Sequence, residues 1–349
     1  MRARNFYSVA LVATFVRGDV ILDASMVCSK PAQRREWRTL TIEEQVAFID
    51  AVKCLGNLPH SASLTPQGFT PGNPPVNITS SRYDDFVYAH MDTNILDHFT
   101  ALFFPWHRWL LKVFSKALQD ECNYQGAFPY WNWSLDADNV TESPVFNPNE
   151  KYGLGTFGTC ADNYTVHDGA FSNVIRAYPY PHLVTRHFDP YPFKYKTFEF
   201  DFLYPNMIAM EAFNPEAIES IIDGSKGNFT DFAYKVDGAR AQGPHNAVHL
   251  MLPGDMKNLL SSPNDIIFYL HHGMLDCIWD KWQNRRPENA WAFGGGLTMD
   301  MGNIDIYPAG APPAANVSSL LPTVGLSPPV SVWEMMSTKS PNLCYECIW

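Results

Sequence analysis

Six of the eleven histidines fall into two ordered groups of three, His90, His98 and His107, then His245, His249 and His272. Imidazoles grouped in this way are metal-binding chemistry. His245 and His249 stand four apart in a helix that starts at Gly243-Pro244, so both rings leave one face. His272 is expected from a facing helix. Phe268 and Asp276 lie four residues before and after it, on the same stripe. Phe268 is placed to pack on a ligand imidazole, and Asp276 to accept a ring N–H behind the metal. His271 points about 100° further round the helix and reads as a neighbour, not a ligand. On a continuous helix His90 and His98 would sit about 80° apart and two turns distant, so they share a metal only if the chain unwinds between them. The polar pair Thr93-Asn94 and then Pro105 offer such a break before His107. A lone histidine is more often a hydrogen-bonded structural residue. His60, His167, His182 and His187 lack the grouped context and read as surface or loop residues.

The donor set restricts the metal. No Glu-x-x-His pair accompanies the histidines, which argues against a carboxylate-bridged di-iron bundle. No cysteine lies among them, which argues against blue copper. Imidazole alone suits copper, zinc or nickel, and spacing by itself leaves a three-histidine zinc hydroxide site open.

The elements that must position these residues are mainly helical. Glu36 to Leu55 reads as a helix with Thr41 as cap and Glu43 and Glu44 in its first turn. Tyr83 to Leu96 and Trp106 to Asp120 follow, the latter entered through Pro105. Asn214 to Asp223 is a further helix. Ser262-Pro263-Asn264-Asp265 reads as the start of a helix running to about Trp282. Residues 57–80 and 121–200 read as loop, and 290–349, rich in glycine and proline, as a wrap around the core. No linker divides the chain and no repeat of 20–50 residues is visible, so 25–349 is expected to be one domain.

Composition excludes other classes. The net charge of −11 disfavours a nucleic-acid partner or a polybasic membrane surface. Hydrophobic residues at 46% and charged residues at 17% place the chain among folded globular proteins. No run of about 18 apolar residues exists, so no membrane span is expected. Residues 1–24 read as a secretory signal with Arg2 and Arg4 before an apolar stretch, although Arg17 interrupts it. An ordinary buried segment is the competing reading. Secretion is also favoured by N-x-[ST] triplets at Asn77, Asn132, Asn139, Asn163, Asn228 and Asn316. Of seven cysteines at least one stays unpaired within the chain, and Cys277, in an apolar helical run, is the expected free thiol.

At these residues the sequence resembles the tyrosinases. His90-x7-His98-x8-His107, within FFPWHRW, resembles their first copper site, and GPHNAVH followed by SPNDIIFYLHHGMLD the second. PYWNWSLD is a further match, and the likeness spans roughly residues 28–349, with the short fungal tyrosinase-like and catechol-oxidase-like proteins as its nearest type. The resemblance implies an antiparallel four-helix bundle with long irregular loops around a type 3 pair of copper ions. It also implies O2 as co-substrate and a small phenol as partner. The expected reaction is oxidation of o-diphenols to o-quinones, with o-aminophenols and monophenols as further candidates, as a tailoring step of secondary metabolism. His90, His98 and His107 would hold one copper, and His245, His249 and His272 the other. Asn246 would orient a water that deprotonates a phenol, and Leu250 would lie at the cavity mouth. The alternative is an oxygen-binding protein without catalysis, as in hemocyanins, where an added plugging domain is expected.

The sequence departs from the family at four places. Leu96 stands where many tyrosinases carry a thioether-forming cysteine, so no crosslink is expected there. Cys277 replaces the arginine that usually follows the aspartate of the second site, and Asn132 replaces the aspartate of PYWDW. The acid that partners the water-orienting asparagine is not obvious, since Val236 stands nine residues before His245 with Asp237 beside it. No C-terminal shielding domain is expected at this length.

Overall fold

The computed structural model describes residues 28–349 apart from Thr197, Glu199, Ala239 and Ala241. The 1–24 signal reading lies outside the described residues. Among the described residues seven α-helices carry the architecture, α1 (Ile42–Asn57), α2 (Arg82–Asp97), α3 (Phe103–Cys122), α4 (Pro215–Asp223), α5 (Phe229–Asp237), α6 (Pro244–Met251) and α7 (Ile267–Arg285). Strand is limited to three short two-stranded pairs among the described residues, one of them joining Ala32–Arg34 in parallel to Tyr345–Cys347. No described helix is long and apolar enough to cross a membrane.

Local chemistry explains the helix starts. Thr41 Oγ1 accepts from the Glu44 N–H while Glu44 returns a carboxylate to the Thr41 N–H, a reciprocal cap of α1. Ser81 and Asp84 do the same for α2. Pro244 sits at the first turn of α6, where its missing N–H costs no hydrogen bond. Three boundaries differ from the sequence reading, the first being that of α3, which begins at Phe103 so that Pro105 lies inside its first turn and makes no break. Trp37–Thr39 is a separate short 3-10 turn, and Ser262–Asn264 is another, so α7 begins only at Ile267. The reason lies in Asp265. Its carboxylate binds the buried Arg186 guanidinium at 2.7 and 2.8 Å and accepts from the Ile267 N–H at 3.0 Å. Asp265, not Ser262, therefore satisfies the open end of α7. Helix α5, absent from the sequence reading, is capped by Asn228.

Helices α3 and α7 pack against each other at the centre, with α1 and α2 on α3 and with α6 against α5. Their interface is aromatic, with Phe114 stacked on Tyr269 at 3.9 Å and Phe104 tilted on Trp279 at 5.3 Å. Disulfides join Cys54 to Cys122, Cys28 to Cys344 and Cys277 to Cys347. The expectation that Cys277 is the free thiol is thereby corrected. It lies on the side of α7 facing the last strand, and the exposed Cys160 is the unpaired residue. A helical periodicity shows that a cysteine is buried, not what lies across from it.

Candidate metal centre

Helix α2 continues through Asp97, and His98 is the first residue outside it, in extended conformation (φ −116°, ψ 141°). The chain therefore breaks at His98 itself, not at Thr93-Asn94. Thr93 Oγ1 bonds back to the Ala89 carbonyl at 2.9 Å and stays helical. The extended His98 folds its ring back toward the helix. Ring centroids are 4.9 Å apart for His90–His98, 5.1 Å for His98–His107 and 5.7 Å for His90–His107.

On the other side α6 supplies His245 and His249, 4.6 Å apart, and α7 supplies His272, 5.3 Å from His245 and 5.6 Å from His249. His271 is also close, 4.8 Å from His249. Within each group one ring nitrogen per histidine lies within 4.8 Å of the others, with His271 included in the second. The groups face each other. His107 stacks on His272 at 4.2 Å, and His98 on His245 at 6.3 Å. Two metal positions thus adjoin.

Tautomers decide which nitrogens are free to bind. A neutral imidazole has one N–H and one lone pair, so a partner on one nitrogen fixes the role of the other. The Nδ1–H groups of His90, His107 and His249 donate to the carbonyls of Leu260 (2.7 Å), Phe103 (2.8 Å) and Met256 (2.5 Å). His245 Nδ1 donates to the Asp237 carboxylate at 2.8 Å. His98 Nδ1 lies 2.6 Å from Asp97 Oδ1 and 3.2 Å from the Asn94 carbonyl. His98 Nδ1 is also met by the Asn94 Nδ2 donor at 3.0 Å, and the other four present a bare Nε2. Those of His90, His107 and His245 are buried without any partner, which is the signature of nitrogens that wait for an ion. His271 is the opposite case. The Trp133 indole, a donor only, gives its N–H to His271 Nδ1 at 3.1 Å. His271 Nε2, although also buried without a partner, then carries the proton and has no lone pair for a metal. His272 Nδ1 is unpartnered, and its Nε2 faces His249 Nε2 at 3.4 Å.

Phe268 packs on His272 at 4.2 Å and on His90 at 5.1 Å, so one ring touches both groups. Phe103, not singled out from sequence, does the same between His245 (4.6 Å) and His107 (4.8 Å). The expectation for Asp276 is corrected. Its carboxylate touches no imidazole. It accepts from Arg34, from Arg108 and from the Tyr345 hydroxyl, all buried. Two guanidiniums outcompete an imidazole for a buried carboxylate because each brings a full charge.

Asn246 donates its amide to the backbone carbonyl of Asp237, the residue whose carboxylate also takes the Phe99 N–H at 3.2 Å. Asp237 is thus the acid beside the second group, while Val236 is core. Burial pushes Asp237 up to about 7. Gly238 permits this approach, because a Cβ there would lie 1.9 Å from the Gly243 nitrogen. A cavity of about 240 Å³ opens on His98, His245 and His249, with Asn246, Leu250 and Phe198 among its walls.

Burial also dominates the imidazoles. It drives His90 down to about 3 and His107, His245, His249 and His272 well below the ordinary histidine range. His98 alone is raised, because Asp97 outweighs its burial. Unfolded imidazoles take up protons as pH falls through their ordinary value near 6.5. The five lowered imidazoles resist this in the folded state, so their contribution is complete above about 6.5 and is lost as pH falls below it. Asp237 and His98, both raised, act in the other direction, as two groups against these five and the likewise lowered His271. The metal-free protein is expected to melt at a lower temperature at pH 5 than at pH 7, a shift that calorimetry would measure. An unchanged midpoint would contradict this ionisation scheme.

Residues 80–285 match the family model described as the common central domain of tyrosinase. The chain belongs to the tyrosinase family. It is 32% identical to the tyrosinase-like protein phomQ1 of Diaporthe leptostromiformis, over 91% of this chain and 78% of that protein. It is 28% identical to N-acetyl-6-hydroxytryptophan oxidase ivoB of Emericella nidulans, over 90% and 91% of the two chains. The fold matches that of a polyphenol oxidase mutant from Thermothelomyces thermophila with a TM-score of 0.69 at 24% identity, covering 91% and 89% of the two chains. This tyrosinase-family protein is a type 3 copper oxidase, and its two facing histidine groups constitute the dicopper site. The all-imidazole donor set and the orphaned Nε2 atoms fit copper.

Proposed function

We propose that the protein oxidises o-diphenols to o-quinones with O2, as a tailoring oxidase of secondary metabolism acting on a small phenol. His90, His98 and His107 would hold one copper ion, and His245, His249 and His272 the other. Bound copper supplies the O2 binding and the electron transfer. In the complete reaction two diphenols each lose two electrons and two protons, and O2 leaves as two waters. The observation that carries this reading is the cavity that opens on His98, His245 and His249, which gives a phenol direct access to both groups. Leu250 and Phe198 provide apolar walls for an aromatic ring. Asn246 has its amide committed to Asp237, which leaves its carbonyl oxygen to accept from a water or a phenol O–H. The relative named for oxidation of N-acetyl-6-hydroxytryptophan supports a hydroxylated aromatic substrate. Three disulfides support a secretory route.

Oxygen uptake by copper-loaded protein with 4-methylcatechol and 4-methylphenol tests the reading. Uptake with the catechol is the expected result, and two bound coppers with uptake on neither would contradict it. Asp237→Ala removes the carboxylate partner of His245 Nδ1, while Asn246 keeps its bond to the backbone carbonyl of residue 237. It is expected to weaken copper binding about 10- to 100-fold, measured by competition with a chelator.

A further inference from the structure

Five consecutive residues, Met256 to Leu260, lie along the edge of the metal centre. The Met256 carbonyl holds His249 Nδ1 at 2.5 Å, and the Leu260 carbonyl holds His90 Nδ1 at 2.7 Å. Between them the Leu259 carbonyl accepts from Asn94 Nδ2 at 2.8 Å. One strap thus anchors an imidazole of each group, so the backbone beneath whatever side chain it brings to the cavity wall is held at a fixed place relative to both groups. That side chain is Lys257.

Among the described residues, Lys257 is the one ionisable residue lining the cavity apart from imidazoles. Its other neighbours there are the apolar Phe198, Leu250 and Leu259 and the neutral Asn246 and Ser262, none of which carries a counter-charge. Among the described residues no carboxylate lies within 4 Å of Lys257 Nζ. A chain of net charge −11 repels anions at long range, so an anionic substrate would need a local cation at the mouth. We infer that Lys257 is a specificity residue that pairs with a carboxylate on the side chain of the phenolic substrate. This inference rests on the phenol-oxidase reading above. An ammonium beside apolar walls gives such a pair more strength than it would have in open water.

The test compares two catechols, 3-(3,4-dihydroxyphenyl)propionate and uncharged 4-methylcatechol, on copper-loaded wild type, Lys257→Met and Lys257→Arg. Lys257→Met is expected to shift the ratio of their KM values about tenfold against the propionate, the worth of one charge-assisted pair. Lys257→Arg, which keeps the charge, is expected to restore most of it. Raising ionic strength should weaken the propionate in wild type and leave the Lys257→Met ratio flat. A second readout needs no turnover. Calorimetric binding of 3-phenylpropionate should fall in Lys257→Met relative to binding of 3-phenylpropanol. An equal KM change for both catechols, or an unchanged ratio with unchanged 3-phenylpropionate binding, would overturn the assignment. Should wild type oxidise neither catechol, the phenol-oxidase reading fails while the calorimetry still decides the lysine. Lys257→Gln serves the same comparison if the methionine variant does not fold.

Discussion

Replacing His272 by alanine is expected to leave one copper per chain and to lower o-diphenol oxidation by at least about a thousandfold, while His271→Ala keeps both coppers. The two residues are adjacent on α7, both buried, and both within reach of His245 and His249. Proximity therefore does not separate them. The indole N–H of Trp133 does. It occupies His271 Nδ1, which forces the proton onto Nε2 and removes the lone pair a metal needs. His272 has no such donor, and it stacks on His107 across the two groups. Removing it leaves two imidazoles at the second site, too few for an ion that must also hold O2. Metal analysis of the two purified variants checks this. One copper in His271→Ala and two in His272→Ala would reverse the assignment. Trp133→Phe adds a control, since it frees His271 Nδ1 without touching a proposed ligand.

The second large effect is on stability. Asp276→Asn is expected to cost about 3–5 kcal/mol, because it strips the counter-charge from two buried guanidiniums at once. Arg34 comes from the first strand, Arg108 from α3 beside His107, and Tyr345 from the last strand. Arg34 also lies 3.5 Å over the Tyr345 ring, and Arg108 3.8 Å over Trp279. Asp276 is thus the hub that fixes α3 against α7, and through them the spacing of His107 and His272. Denaturant unfolding should show the loss, with two coppers still bound under native conditions. A variant of unchanged stability that lost one copper would return Asp276 to the role of holding a ligand imidazole.

Asp276 also shows where the sequence stopped being informative. Its helical spacing from His272 is legible, and so is its burial. Its partners lie 242, 168 and 69 residues away, and no local pattern specifies them. The histidine groups were readable because i, i+4 spacing, a proline helix start and the family motifs all act within a few residues. The break at His98 was misplaced by a few residues, since the capacity of Thr93 to bond back to Ala89 is as compatible with a helix as with its end. Asp237 was visible beside Val236 but not assignable. Its role depends on the tight Gly238–Gly243 approach that turns the end of α5 onto α6. The disulfides escaped for the same reason as Asp276, with Cys277 joined to Cys347 across 70 residues.

The central claim is that the two histidine groups act as one dicopper oxidase. The most direct measurement titrates copper into metal-free protein and follows O2 uptake with 4-methylcatechol against copper bound per chain. Both metals are needed in one molecule, so the rate should rise with upward curvature and level at two coppers per chain. Full activity at one copper per chain would contradict the account.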